Sequence, residues 1–447
     1  MRSHLDGRRP ALGLAFLAGY LWHTFAPGSF GTALFLGTGA VLFVVSVPWA
    51  SSFHRAFALV AFASLVATVV SGRFDLAAFL AGMPDYFGIV AVLLVLSIAG
   101  YPIRAARYEA QIRALVAALT LRGVGFKATA GALGHVLGAV LDVGAFVLID
   151  VISTRAAPKQ RLEALKWAGR AFSFAPLWTN LNVLTATTIV LTGVSYPSLL
   201  AVTLPFVLIG LAATLLAAQR ERGELEDVQE APLDRGAAAV LLYPVLLVAA
   251  VALANLLFPG LALTATIAVT VALVVLLVAL LAALVTSRTS PLRRLQDETK
   301  GSLATSHAEF ALFGSAGILV LSLEALGALT PLGDLFSALP ATLVAPALAL
   351  ILAVGFVAGI HVVPMVFLLN TAFPLDGGPA PALWALGILL GSQSALLLTP
   401  FSSAVTMLSR LTGLHPLESG PKSNWRFGLT VALASAAYLA LLTIFLL

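Results

Sequence analysis

The chain has 447 residues, of which 60% are hydrophobic and only 10% are charged, and its formal net charge is +5. Soluble domains carry about 25% charged residues, so this composition excludes a water-soluble protein and predicts an all-α polytopic membrane protein. The sequence contains no cysteine, which excludes a disulfide framework and thiol catalysis. Its basic residues are dispersed over short loops, which favours a role in membrane topology over nucleic-acid binding.

Long apolar runs predict about 11–13 membrane segments, because about 20 apolar residues cross a bilayer as a helix. In the first half of the chain the expected segments are 11–27, 30–50, 56–72, 86–102, 128–153, 174–194 and 197–218. In the second half they are 237–258, 261–286, 303–327, 338–372, 382–399 with 401–413, and 427–447. Residues 155–172 carry too many charges to span, so we expect a connector that leads into a re-entrant hairpin near Pro176.

Short landmarks recur in the same order in both halves, which predicts an internal duplication. His135-Val136, Pro176 and Leu191-Thr-Gly193 are matched by His361-Val362, Pro400 and Leu411-Thr-Gly413, each about 220–230 residues further along. We therefore expect residues 1–219 to form the first repeat and residues 236–447 the second, joined by an acidic linker at 220–235.

Matching loops of the two repeats differ in charge, which predicts that the repeats are inverted. Residues 104–127 and 155–170 are basic, whereas their counterparts at 330–353 and 372–380 carry one acid each and no base. Since basic loops remain on the cytoplasmic side, we expect the N-terminus in the cytoplasm and the linker on the extracytoplasmic side. The expected location is a bacterial-type inner (plasma) membrane.

Polar side chains accumulate inside two apolar runs, which we name the first island (173–188) and the second island (391–406). Each contains a proline, which removes a backbone donor, so we expect broken helices or hairpin tips whose freed backbone groups line a cavity. Hydroxyl and amide oxygens can coordinate Na⁺, and half-helix N-termini attract anions. The candidate substrate- and ion-binding residues are Thr179, Asn180, Asn182, Thr185, Ser402, Ser403 and Thr406. For any single residue, hydrogen bonding between packed helices remains an alternative.

Few ionisable residues lie within the apolar runs, and their cost in a membrane suggests function. The candidate ion-coupling residues are Asp142, His135 and His361, although each could instead pair with a neighbouring helix. Asp150 and Glu309 are expected at the membrane interface. No metal site is expected beyond Na⁺ at the islands, because the histidines lack metal-ligand spacing.

The paired islands, one in each inverted half, resemble those of the ion transporter superfamily. This superfamily includes divalent-anion/sodium symporters, citrate- and arsenite-type permeases and the membrane subunits of TRAP transporters. The symporters carry a Ser-Asn-Thr triplet in each half; here Thr179-Asn180 lacks the final Thr, and Ser402-Ser403 lacks the Asn. The resemblance implies an elevator-like transporter, in which a domain that contains both islands moves against a scaffold that often forms a homodimer.

Three functional hypotheses follow from these features. The first is a secondary active transporter that moves a small anionic solute, such as a carboxylate or oxyanion, coupled to Na⁺ or H⁺, with no catalytic residues and no cofactor other than the coupling ion. The second is a cation/proton antiporter that uses Asp142 as the exchanging carboxylate. The third is an intramembrane enzyme or assembly subunit that acts on lipid-linked substrates.

Overall fold

The structure is a computed structural model that describes residues 9–105, 109–153, 158–221, 235–286, 289–374 and 380–446. Within these ranges the secondary structure is helical and contains no strand. Seven of the helices are long and apolar enough to cross a membrane. Composition and structure together therefore define an all-α, multi-pass membrane protein. Most of the expected linker, residues 222–234, lies outside the described residues.

The helices are numbered in chain order. In the first half they are α1 (Arg9–Phe25), α2 (Ser29–Ser46), α3 (Ser52–Val70), α4 (Leu76–Ala99), α5 (Tyr101–Ala105), α6 (Glu109–Leu121), α7 (Phe126–Leu141), α8 (Gly144–Ile152), α9 (Pro158–Phe172), α10 (Val183–Thr192) and α11 (Tyr196–Arg220). In the second half they are α12 (Arg235–Leu257), α13 (Leu263–Thr286), α14 (Ser290–Thr305), α15 (His307–Ala325), α16 (Thr330–Ser337), α17 (Ala341–Val357), α18 (Val362–Ala372), α19 (Pro381–Ala395), α20 (Ser403–Thr412) and α21 (Ser423–Leu446).

Two expected single segments are each divided into two helices. The segment 128–153 is interrupted at Asp142 and Val143, between α7 and α8, which pack against each other as a hairpin. The segment 338–372 is interrupted between α17 and α18, where Gly359 adopts a φ of +94° that side chains other than glycine rarely adopt. Neither interruption contains a proline, so the hydrophobic pattern alone did not reveal them.

The described residues form two compact units, and each unit takes residues from both halves of the sequence. The first unit lies within Met1–Pro102, Ala254–Leu335 and Phe367–Phe373. The second lies within Ile103–Leu253, Phe336–Val366 and Pro374–Leu447. Both islands belong to the second unit.

The first unit contains a cluster of aromatic rings and a buried arginine at the start of α1. Phe16 of α1 contacts three rings: its centroid lies 5.1 Å from that of Phe35, 6.1 Å from that of Phe87 and 5.0 Å from that of Phe310. Such offset and edge-on pairs stabilise beyond the area they bury. At the start of the same helix, the buried Arg9 guanidinium donates to Ser46 Oγ at 2.7 Å.

The second unit contains two closely packed helix pairs, α7 with α9 and α17 with α19. In each pair glycine allows the backbones to touch. A Cβ at Gly134 would lie 2.8 Å from the Ala168 carbonyl oxygen, and one at Gly391 would lie 2.3 Å from the Ala349 carbonyl oxygen. Close packing through small residues is the usual means of helix association in a membrane, where the hydrophobic effect between helices is absent.

The end of α11 lies beside the start of α7. Lys127 Nζ lies 3.5 Å from a Glu221 carboxylate oxygen, and the Gly125 N–H donates to Gln219 Oε1 at 2.6 Å. Because these residues are in contact, the end of α11 and the start of α7 lie on the same side of any membrane that the chain spans. A cytoplasmic loop before α7 and an extracytoplasmic linker after α11 therefore cannot both hold.

Candidate functional site

The first island is an interrupted helix. Helix α9 ends at Phe172, a short 3-10 turn covers Ala175–Leu177, and α10 begins at Val183. Asn182 caps α10, because its Oδ1 accepts the Leu184 N–H at 3.0 Å. The capping amide satisfies one of the backbone donors that a helix N-terminus leaves without a partner. The proline that predicted a break therefore lies within it.

Several polar residues of the first island hold the break in shape. The Thr179 hydroxyl donates to the Ala139 carbonyl oxygen of α7 at 2.9 Å and accepts the Leu181 N–H at 3.2 Å. The Thr185 hydroxyl donates to the Pro176 carbonyl oxygen. These two threonines have protein partners, so the free-energy cost of burying their hydroxyls is offset without a ligand.

Asn180 differs from its neighbours, because its side chain is fully buried and neither Oδ1 nor Nδ2 has a hydrogen-bond partner. The buried hydroxyls of Thr187 and Thr188, on α10, also lack partners. Leaving such a group unsatisfied costs about 1–3 kcal/mol, and most buried polar groups in proteins are paired. These three side chains are therefore candidates to bind a ligand.

The second island is also an interrupted helix. Helix α19 ends at Ala395 and α20 begins at Ser403, after Ser402, whose Oγ accepts the Val405 N–H at 3.1 Å as an N-cap. Ser402 is buried, whereas Ser403 and Thr406 are exposed on α20. The capping role of Ser402 matches that of Asn182 in the first island, which makes the two breaks alike in construction.

Gln393, near the end of α19, was not among the candidate site residues expected from the sequence. Its side chain is buried and its Oε1 has no hydrogen-bond partner. The available signal was its place in the polar run Ser392-Gln393-Ser394, directly before the break. The same helix carries Ser392 and Ser394, whose hydroxyls donate to carbonyl oxygens of the preceding turn at 2.7 Å and need no other partner.

In the second unit, the helix that follows each break packs against the helix that precedes the other break. Helix α10 packs against α19, and α20 packs against α9. A Cβ at Gly169 of α9 would lie 3.1 Å from Leu408 of α20. Each island is therefore followed by a helix that contacts the interrupted helix of the other half, so the structure brings the two islands into one packed arrangement.

His135 has both ring nitrogens occupied by protein groups. Its Nδ1 lies 3.0 Å from the Ala171 carbonyl oxygen, and its Nε2 lies 3.0 Å from Trp178 Nε1. The carbonyl requires a proton on Nδ1 and the indole N–H requires a lone pair on Nε2, so this network assigns the neutral tautomer with Nδ1 protonated. In this arrangement His135 ties α7 to the end of α9 and to the first island.

Asp142 lies at the turn between α7 and α8 with φ +50° and ψ −137°. It is the one residue other than glycine with a positive φ among the described residues. Such backbone conformations cost about 1–3 kcal/mol and concentrate at functional sites. The side chain is exposed at the turn. No buried partner therefore explains why this residue is an acid and not glycine, which would adopt the same backbone conformation without strain.

His361 lies at the turn between α17 and α18, directly before α18, and is half-buried. Its expected counterpart His135 lies inside α7 and not at a turn. The Nδ1 of His361 accepts the Val363 N–H at 3.4 Å. The ring of Phe401, from the second island, packs against this turn: a Cβ at Gly359 would lie 3.0 Å from a ring carbon of Phe401. In both halves, then, the turn between two helices lies close to the break in the next interrupted helix.

The two acids expected at the membrane interface have different surroundings. Asp150 is 9% exposed and forms a paired hydrogen bond with Arg161. Glu309 is half-buried in the first turn of α15. Among the described residues there is no group of three or more His, Cys, Asp or Glu side chains that could hold a metal ion.

No protein-family model matches the chain, and no curated protein sequence matches it.

Proposed function

We propose that the protein is a secondary active transporter that moves a small anionic solute across the membrane, coupled to Na⁺ or H⁺. The observation that carries this proposal is Asn180, a fully buried amide without a protein partner, next to the N-terminus of a helix in an interrupted segment. Its Nδ2 can donate to an anion, and the helix N-terminus adds a partial positive charge. Its Oδ1 can accept from the solute or coordinate a cation.

The charge of the islands supports coupling between an anion and a cation. Residues 171–193 and 391–409 contain no Asp, Glu, Lys or Arg. An anion that entered such a site alone would lose its hydration without meeting a side-chain charge of opposite sign, which is costly. A cation bound at the same time to hydroxyl and amide oxygens offsets that cost. Each ligand then raises the affinity for the other, which links their transport.

The organisation of the chain supports an elevator mechanism with inverted repeats. In each half, two helices joined by a turn precede an interrupted helix and then a long helix: α7 to α11 in the first half and α17 to α21 in the second. Both islands belong to one compact unit, and the other unit contains neither. An elevator requires this division of the chain, because a carrier domain must hold the whole site while a scaffold stays in place.

A thermal-shift screen of the purified protein tests the proposal, because a bound ligand stabilises by mass action. The protein is heated in Na⁺, K⁺ or choline, at two pH values, with a panel of carboxylates, oxyanions and neutral metabolites. We expect one anion to raise the unfolding temperature, more so with its coupling ion, and Asn180→Ala to remove this shift.

The matched control for the screen is Thr203→Val. Thr203 is also fully buried in the second unit, but its hydroxyl donates to the Leu199 carbonyl oxygen of its own helix at 3.0 Å. The variant should keep the ligand-dependent shift. Uptake of the stabilising anion into proteoliposomes with an imposed ion gradient then measures transport. A stabilising anion that is never taken up, in either gradient, would refute the transporter proposal.

The cation/proton antiporter is the second candidate, because the strained backbone at Asp142 favours a functional acid at that turn. An antiporter of this kind should show cation-dependent proton movement in proteoliposomes without any anion. Asp142→Asn should abolish this movement, and Asn180→Ala should not. The opposite order of sensitivity favours the solute transporter.

We further propose a bacterial-type inner membrane location, a cytoplasmic N-terminus and a homodimer. The chain has no native cysteine, so single introduced cysteines report topology without background. A cysteine at the exposed Arg122, shortly before the start of α7, and one at the exposed Ser198, in the first turn of α11, should react with an impermeant maleimide from opposite sides of the membrane. Light scattering of the detergent complex measures the number of subunits.

A further inference from the structure

Arg161, in the first turn of α9, links three helices of the second unit. Its Nε donates to Asp150 Oδ1 at 2.6 Å, and its Nη2 donates to Asp150 Oδ2 at 2.8 Å. The same Nη2 donates to the Leu411 carbonyl oxygen at 3.3 Å. Asp150 lies near the end of α8, and Leu411 lies near the end of α20. One guanidinium group therefore links the α7–α8 hairpin of the first half to the second interrupted helix.

The chemistry of this link, which we name the Arg161 joint, requires arginine. A planar guanidinium can form two parallel bonds with a carboxylate and still direct an N–H elsewhere, whereas the ammonium group of lysine is a point charge without this fork. The last carbonyl oxygens of a helix lack intrahelical partners and carry a partial negative charge. Arg161 thus satisfies both the acid of one helix and the C-terminus of another.

The two helices held by the joint each lead to an island. The α7–α8 hairpin reaches the first island through the Thr179 hydroxyl, which donates to the Ala139 carbonyl oxygen at 2.9 Å. Helix α20 begins directly after Ser402 of the second island. Arg161 therefore connects the hairpin at one island to the helix that starts at the other.

We propose that Arg161 and Asp150 are positioning residues that couple the α7–α8 hairpin to α20, so that the two islands change conformation together. The proposal rests on the proposed transport function for its purpose, but the coupling itself is a property of the fold. Without the joint, the hairpin moves independently of α20, and an ion can occupy one island without the change at the other that solute transport requires.

Labelling of the hairpin turn measures this coupling without reference to transport. Val143→Cys places the one thiol of the chain at the partly exposed turn between α7 and α8. In that background, Asp150→Asn and Arg161→Lys should raise the rate of maleimide labelling about two- to fivefold, the range that a partly exposed ion pair supports. Arg161→Lys keeps the charge but loses the fork, so it tests the three-way geometry and not the charge alone.

The control is Glu418→Gln, which removes an exposed ion pair with Lys422, 3.8 Å away, within a single segment of the same unit. Its labelling rate should equal that of the Val143→Cys parent. Equal rates in all the variants would overturn the proposal. If Asp150→Asn does not fold, Asp150→Glu shifts the carboxylate by one methylene group and should give a smaller increase in the same direction.

A second readout separates positioning from a purely structural role. In proteoliposomes, the Arg161→Lys protein should move more coupling ions per solute molecule than the parent, whereas a merely less stable protein would lose both fluxes in proportion. Faster labelling together with an unchanged ion-to-solute ratio would refute the role in coupling. If the parent moves no solute at all, the transport function fails, and the labelling rates still decide whether the joint holds the hairpin.

Discussion

Asn180 and Asn424 provide a matched pair, because both amides are buried in the second unit but only one has partners. Asn180 is fully buried and neither of its polar side-chain atoms is hydrogen-bonded. Asn424 is 1% exposed; its Nδ2 donates to the Ser419 and Gly420 carbonyl oxygens, and its Oδ1 accepts from Arg170 Nε at 3.0 Å. Substitution by leucine removes the amide from each site at similar volume.

The expected changes in unfolding free energy have opposite signs. Asn180→Leu removes an unsatisfied buried amide, which should raise the unfolding free energy by about 1–3 kcal/mol. Imperfect repacking of the leucine lowers it by up to about 1.5 kcal/mol. The ligand-free protein should therefore be equally or more stable. Asn424→Leu removes three hydrogen bonds, one of them to a charged guanidinium. At about 0.6 kcal/mol per bond in a membrane and up to about 3 kcal/mol for the charged one, the loss is about 2–5 kcal/mol.

The assay is unfolding of the ligand-free protein in detergent, followed by tryptophan fluorescence against temperature and denaturant. If Asn180→Leu is more stable but no longer responds to the ligand, then Asn180 destabilises the ligand-free protein and is kept for its function. If Asn180→Leu destabilises the protein as much as Asn424→Leu, the amide is satisfied in the ligand-free state, for example by buried water. The reasoning that assigns Asn180 to a ligand would then be refuted.

Three further predictions test other parts of the structure. In the same assay, Gly391→Ala should lower the unfolding free energy by about 1–3 kcal/mol, because its Cβ would lie 2.3 Å from a backbone oxygen. The control Gly301→Ala, whose Cβ would have no atom within 4 Å, should be neutral or stabilising. Equal effects of the two substitutions would contradict the close packing of α17 on α19. Asp142→Gly should stabilise by about 1 kcal/mol, since glycine adopts the φ of +50° without strain, and no gain would mean that the turn is unstrained. Trp178→Phe should lower the unfolding free energy by about 1 kcal/mol, because His135 loses the indole donor. In a His135→Leu background, where this hydrogen bond is already absent, the same change should have a smaller effect.

Much of the helical framework could be predicted from the sequence, because a membrane helix satisfies its own backbone and needs only a sufficient run of apolar residues. The expected segment 30–50 corresponds to α2 at Ser29–Ser46, and the expected segment 197–218 corresponds to α11 at Tyr196–Arg220. The breaks at the islands were also local features, since Pro176 and Pro400 both lie in the interruptions. The turns at Asp142 and Gly359 have no such local signal and were expected inside continuous segments.

The roles of individual polar residues were decided only by the tertiary structure. Thr179 and Asn180 are adjacent, polar and buried, yet Thr179 meets a carbonyl oxygen 40 residues away while Asn180 meets no protein partner. Likewise, only the tertiary structure placed the end of α11 beside the start of α7, where Lys127 meets Glu221 from 94 residues away. The sequence by itself determined where helices form, because that depends on transfer of nearby side chains into lipid. Which polar groups remain for a ligand depends on hydrogen bonds between distant segments, and only their packing decides it.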